Sequence, residues 1–222
     1  MMSAPNSDPG VSMRRYRWRA AAWTAAATLT GVVVFVLFIR NVLGWDFEVA
    51  ALSPLASDVG FGPRYQGWLG SFGVVGWALT TAIAGLGATI LWRRGERREG
   101  WFLAASGLLS AALLFDDLFM VHSTVAPRLL GVPKPVVIIV LVAVAVTWAL
   151  LFRRRLLAEP DLPILLWAAL WYAVALFIDA FGSMIGWGGV REETAKLIGV
   201  ASWLVLFWRV TLRSIERDGV DV

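Results

Sequence analysis

Apolar residues run almost unbroken through six stretches of the chain, and polar and charged residues gather between them. The stretches are Ala20–Ile39, Trp68–Trp92, Trp101–Val121, Val136–Phe152, Pro163–Phe181 and Thr194–Leu212. A helix needs about 20 mostly apolar residues to cross a bilayer. Backbone polar groups in hydrocarbon must pair within their own segment, which selects helices here. Each stretch therefore predicts one spanning helix, and the whole predicts an all-α, six-transmembrane-helix bundle. The fourth stretch is the shortest, and Pro133 and Pro135 mark its start.

The flanks are polar. Residues 1–13 are rich in Ser and Pro and read as a disordered cytoplasmic tail. Residues 14–213 form the transmembrane domain, and residues 214–222 read as a second cytoplasmic tail. The first stretch is too long for a signal-peptide core and no A-x-A site follows it, so it reads as an uncleaved anchor. No second soluble domain and no internal repeat is visible.

Composition supports this picture. The 222 residues are 59% hydrophobic and 16% charged, against about 45–50% and about 25% in soluble domains. The chain has no cysteine, which excludes disulfides, thiolate catalysis and Cys-ligated metal sites. A net charge of +4 would suit nucleic acid, but the positions of the charges argue for topology instead. Most of the 20 lysines and arginines lie before the first stretch, between the second and third, between the fourth and fifth, and at the C-terminus. The positive-inside rule then puts both termini in the cytoplasm of a multi-pass protein of the cell (inner) membrane. The partners implied are membrane lipids, with anionic lipids at the basic clusters, and a homo-oligomer or membrane partner; nucleic acid is not implied. Trp92, Trp101, Trp148, Trp167 and Trp208 fall near one set of ends, and Trp45, Trp68 and Trp187 near the other, as interfacial belts do.

Candidate chemistry lies where the oil is interrupted. Asp116 and Asp117 fall about 22–24 Å along the third stretch at 1.5 Å per residue, and His122, the only histidine, follows. Asp179 lies at the same depth in the fifth stretch. Glu192, Glu193 and Lys196 open the sixth. Embedded charges are costly and face the bundle interior, water or one another. Asp116 and Asp117 are about 100° apart on a helix and must serve different contacts. His122 is about 140° round from Asp117. Either the helix ends and the ring folds back, or His122 and one aspartate serve different contacts. Asp179 and Ser183, and Glu192 and Lys196, are spaced i, i+4, and the second pair is in the favourable order for a salt bridge. In the long connection before Trp68, Ser53–Pro54 reads as the start of a short helix laid on the interface by Trp45, Phe47 and Leu52, bringing Asp46, Glu48 or Asp58 over the cluster. Gly182–Gly189 reads as a flexible stretch that brings backbone to the same place.

Three readings use these residues. Clustered carboxylates carry protons or cations, as in a transporter. Alternatively Asp117, His122, Asp179 and Glu193 hold a divalent metal (zinc, manganese or iron) and hydrolyse a lipid or lipid-linked substrate. In the third reading the charges only pair helices or bind a partner. For Glu192 and Glu193, helix capping and the Lys196 pair explain most of the pattern.

The pattern DDLF-x2-H, then EE-x2-K-x2-G (Glu192, Glu193, Lys196, Gly199), resembles a group of uncharacterised short multi-pass bacterial membrane proteins. The resemblance covers Trp101 to Trp208 and implies no specific activity. Those proteins often carry HE where this chain has His122–Ser123. Alkaline ceramidases are similar in having intramembrane Asp, Ser and His, but they use several histidines. Rhomboid proteases place Ser before His within GxSG, and neither feature is present. A retinal Schiff base at Lys196 fits poorly with six spans.

Overall fold

In the computed structural model the described residues are 9–41, 67–185 and 189–216. They are helical throughout, apart from short turns. We number the helices α1 (Pro9–Asn41), α2 (Trp68–Arg93), α3 (Arg97–Phe119), α4 (Ala126–Leu129), α5 (Lys134–Leu151), α6 (Arg153–Ala158), α7 (Leu162–Ile185) and α8 (Val190–Glu216). A π-helical turn, Val121–Val125, joins α3 to α4. Among the described residues six helices are long and apolar enough to cross a membrane: Trp18–Asn41 of α1, α2, α3, α5, Leu162–Phe181 of α7, and α8. Each coincides with one predicted stretch, and the fold is an all-α six-helix bundle.

Two ends of chain depart from expectation. The described part of helix α1 begins at Pro9, inside the stretch expected to be a disordered tail. At the other end α8 runs on to Glu216, past the expected boundary at residue 213. The short helix expected near Ser53 and the acids Asp46, Glu48 and Asp58 lie outside the described residues, as do Trp45 and Trp187.

Helix α8 is the centre of the bundle. It packs against α2, α7 and α1 and buries residues round most of its circumference, from Ala195 to Ser214. Helix α5 is its opposite. It packs on α3 and the π-turn, and among its residues only Trp148 is buried. Helices α2 and α8 approach closely where residues are small. A Cβ built on Gly87 would stand 2.7 Å from Thr211 Cγ2 and 2.8 Å from Leu103 Cδ1, so a side chain there would force the two neighbours apart.

The middle of the bundle is aromatic. Trp148, Trp203, Phe102 and Phe207 pack with ring centroids 4.9–6.4 Å apart. Their polar edges are met within the bundle. The Trp148 indole N–H donates to Ser106 Oγ at 3.1 Å and the Trp203 N–H to Ser110 Oγ at 3.0 Å. Each serine hydroxyl in turn donates to a carbonyl one turn back on α3. Buried indoles need such partners in hydrocarbon. Trp148 is thus a core residue rather than part of an interfacial belt. Trp92, Trp101, Trp208 and Trp68 are exposed, as belt residues are.

Candidate functional site

Helix geometry divides the acids at the Trp68 end of the bundle. Helix α3 ends at Phe119, and Met120 turns left-handed with φ 51°. That reversal starts the π-turn and brings His122 back over the helix end. The His122 backbone N–H donates to Asp116 Oδ1 at 3.0 Å, and its ring Nδ1 lies 2.6 Å from Oδ2. Both oxygens of Asp116 are therefore engaged by one residue. Of the two arrangements open to His122, the chain adopts the one in which the helix ends and the ring folds back.

Asp117, one residue on, points elsewhere. Its Oδ2 accepts the Trp77 indole N–H from α2 at 2.9 Å. Its Oδ1 lies 3.4 Å from Lys196 Nζ on α8. Lys196 also contacts Glu193 Oε1 at 3.1 Å. The three side chains are 19%, 13% and 14% exposed, so the pairing replaces hydration that burial has removed. The Trp77 ring stacks on Tyr172 of α7 with centroids 5.4 Å apart. Tyr172 in turn lies over Gly199, where a Cβ would come within 3.1–3.3 Å of the ring. Gly199 thus lets the ring sit one turn beyond Lys196. The Tyr172 hydroxyl is buried and has no hydrogen-bond partner among the described residues, and the same is true of Glu193 Oε2. Glu193 Oε2 also faces the first turn of α2, 3.8 Å from the position of a Cβ on Gly70.

Asp179 of α7 is held by Lys134 at the start of α5, Nζ to Oδ1 2.5 Å. Glu192 lies within electrostatic reach of Lys196, Asp179, Glu193 and Lys134. It links the Asp117–Lys196–Glu193 group to the Lys134–Asp179 pair without a direct ion pair of its own among the described residues. Side chains from α2, α3, α5, α7 and α8 thereby meet at one end.

Two expectations require correction. The salt bridge on α8 is Glu193 to Lys196, i to i+3, rather than Glu192 to Lys196. Lys196 turns toward Asp117, and that rotation favours the nearer glutamate. The set Asp117, His122, Asp179 and Glu193 is not assembled around one point. Among the described residues no three His, Asp or Glu side chains converge as metal ligands. His122 is drawn to Asp116 by the left-handed turn, Asp179 is taken by Lys134, and only Asp117 and Glu193 share a neighbour. The Ser183 side chain, expected on the face of Asp179, lies outside the described residues.

Three partners escaped sequence reasoning. Lys134 sits between two prolines and reads as loop. Trp77 and Tyr172 read as ordinary apolar positions; the polar atom of each is visible only once Asp117 is placed.

The opposite end carries a second charge cluster. Glu159 and Asp161, in the turn between α6 and α7, are almost wholly buried, with side chains 4% and 0% exposed. Arg209 grips Asp161 through Nε at 2.7 Å and a second nitrogen at 3.2 Å. Arg213 contacts both acids. Arg155 joins Glu159 to Glu99 on α3. Burial opposes the charge on Arg155, but hydrogen bonds to Glu99 and Glu159 more than offset it and raise its pKa above the ordinary value. The signal in sequence is a pair of acids, Glu159 and Asp161, inside an otherwise basic connection.

No curated protein and no solved structure matches the chain. A family model described as "Domain of unknown function (DUF8692)" matches residues 26–210, a range that takes in the C-terminal half of α1, the Asp117–Lys196–Glu193 group and the buried carboxylates of the opposite end. With six helices able to span a membrane, the protein is a multi-pass membrane protein, and it belongs to the DUF8692 family.

Proposed function

We propose that the protein binds a proton or a small cation at its acidic end, in the manner of a transporter's ion site, in the inner membrane of a bacterial cell. The observation that carries this reading is Glu193. One of its oxygens contacts Lys196, and the other is buried with no partner among the described residues. A buried oxygen without a donor is costly. A proton or a cation arriving beside Glu192 and Glu193 removes that cost. Lys196 already serves Asp117, so it cannot serve both oxygens of Glu193. Beneath it Trp77, Tyr172 and Trp203 pack with centroids 5.4 and 6.3 Å apart, over the aromatic middle of the bundle. Passage to the far side therefore needs those rings to move.

The experiment is a calorimetric titration of purified protein with sodium, potassium, calcium and zinc, each in two buffers of different ionisation enthalpy. The reading predicts heat of binding with at least one cation, or proton exchange between buffers, and its loss in Glu193→Gln. A wild type that takes up neither cations nor protons contradicts it. The hydrolase reading has less support, because its four proposed ligands are divided among His122–Asp116, Lys134–Asp179 and the Asp117–Lys196–Glu193 group. A structural reading is favoured by Asp116 and Asp179, each of which is matched by its own basic partner. It predicts that Asp116→Asn and Asp179→Asn change folding or assembly alone.

A further inference from the structure

Three helices that pack on one another, α1, α7 and α8, each place a buried hydroxyl near the middle of a span. These are Thr28 in Trp18–Asn41, Tyr172 in Leu162–Phe181 and Ser202 in Val190–Glu216. A hydroxyl in hydrocarbon needs a partner, and the three differ in what they have. Ser202 Oγ donates to the Ile198 carbonyl at 2.7 Å or, across the α1–α8 seam, to Thr28 Oγ1 at 3.3 Å. Thr28 Oγ1 donates in turn to the Thr24 carbonyl at 2.8 Å or to that of Ala25 at 3.3 Å. Each has two acceptors for one proton, so its O–H bond can turn between them. The Tyr172 hydroxyl has no partner among the described residues. By contrast Ser106 and Ser110 are committed to the Trp148 and Trp203 indoles, and Thr80 bonds back to Gly76.

Tyr172 stands between this seam and the acidic end. Its ring stacks on Trp77, whose N–H is given to Asp117, and Asp117 lies within its electrostatic reach. Its Cζ, which bears the hydroxyl, would be 3.2 Å from a Cβ on Gly199, one turn deeper along α8 than Lys196. Ser202 is three residues further on, the neighbouring position on the helix surface. We infer that the ion of the acidic site is a proton, and that it leaves inward through the Tyr172 hydroxyl into the Ser202–Thr28 seam. This rests on the reading of Glu193 given above. Glu193 takes a proton on Oε2. Lys196 gives a proton to Asp117 and takes the one on Glu193. Asp117 gives its proton to the Tyr172 oxygen as the Tyr172 proton goes to Ser202 and that of Ser202 to Thr28. Each oxygen gains one proton as it loses one. Helix α1 ends among the residues of the acidic end, since Ile39 packs with Leu69 and Leu197. Thr24, buried one turn before Thr28, therefore leads toward the opposite end, where Trp18 and Arg19 are exposed and water takes the proton. The ring movement that passage requires is small for a proton, which travels by the turning of O–H bonds.

The test places full-length protein in liposomes with an internal pH dye and a membrane potential set by potassium and valinomycin. Proton uptake by the same protein in detergent is read from heats in two buffers. Wild type should take up protons and carry them across. Tyr172→Phe removes one unpartnered oxygen, so the fold is kept. Transfer should fall on the order of a hundredfold, the scale for losing a positioned proton-transfer group. Thr28→Val is close in shape and lies away from the carboxylates. It should keep proton uptake at the wild-type level and lose transfer by a similar factor. Hydroxyls that only pack helices would change stability and leave transfer alone. Transfer at the wild-type rate in either variant, or wild-type transfer of sodium or potassium in place of protons, would overturn the inference. A wild type that takes up protons and carries none across would overturn it too and leave the acidic site standing. One that takes up neither protons nor cations removes both.

Discussion

Lys196→Met destabilises the bundle by about 3–5 kcal/mol, the range for removing one partner of a buried charge pair. Methionine keeps the length and apolar stem of lysine, so packing against α2 and α3 survives. What is lost is the ammonium between Asp117 and Glu193. Asp117 retains only the Trp77 N–H, and Glu193 loses the contact to its one engaged oxygen. Two carboxylates then share a buried site without compensation, and each disfavours the charge on the other. Unfolding by denaturing detergent in mixed micelles reads the change. Lys196→Arg restores the charge and should recover part of the loss. A change below about 0.5 kcal/mol, the usual size for an uninvolved surface position, would mean that Lys196 is solvated rather than shared.

Asp161→Asn at the opposite end produces a loss of about the same size. The substitution preserves shape and removes only charge. Arg209 loses its two-point carboxylate partner, and Arg213 keeps Glu159 and the Arg209 carbonyl. Asp161 also anchors the start of α7, since its carbonyl accepts the N–H groups of Ile164 and Leu165. The loss should therefore appear as loosening of the α6–α7 turn before global unfolding. Hydrogen exchange of residues 159–165 measures this directly. Arg154→Gln, a few residues away and exposed, is the control and should leave stability within about 0.5 kcal/mol. Equal protection of the turn in wild type and Asp161→Asn would show that the buried network does not hold it.

The six spans were legible because an apolar run of membrane length has few alternatives. Charge placement was legible in depth but only partly in pairing. Helical periodicity correctly separated Asp116 from Asp117. It also limited His122 to two arrangements, and the choice between them rests on Met120, whose left-handed turn has no sequence marker such as glycine. The Glu192–Lys196 pair failed for a different reason. Spacing within α8 allows either glutamate, and the outcome is decided by Asp117 on another helix. Lys134 was hidden because its partner, Asp179, is 45 residues away in the chain. The metal set was obscured for related reasons: Asp117 and Asp179 meet partners on other helices, His122 folds back on Asp116 through the Met120 turn, and Glu193 pairs with Lys196 on its own helix. The basic-end network was obscured by the positive-inside pattern itself. Arginines that set topology and arginines that hold Glu159 and Asp161 look alike until α6 and α8 are brought together.

The convergence of acids on Lys196 is tested most directly by a double-mutant cycle of Asp117→Asn and Lys196→Met, with unfolding free energies measured for all four proteins. Residues in one ion-pair network show coupling of about 0.5–3 kcal/mol, and the geometry predicts a double variant less destabilised than the two single losses added together. Losses that add to within about 0.3 kcal/mol would place Asp117 and Lys196 in separate environments and contradict the site.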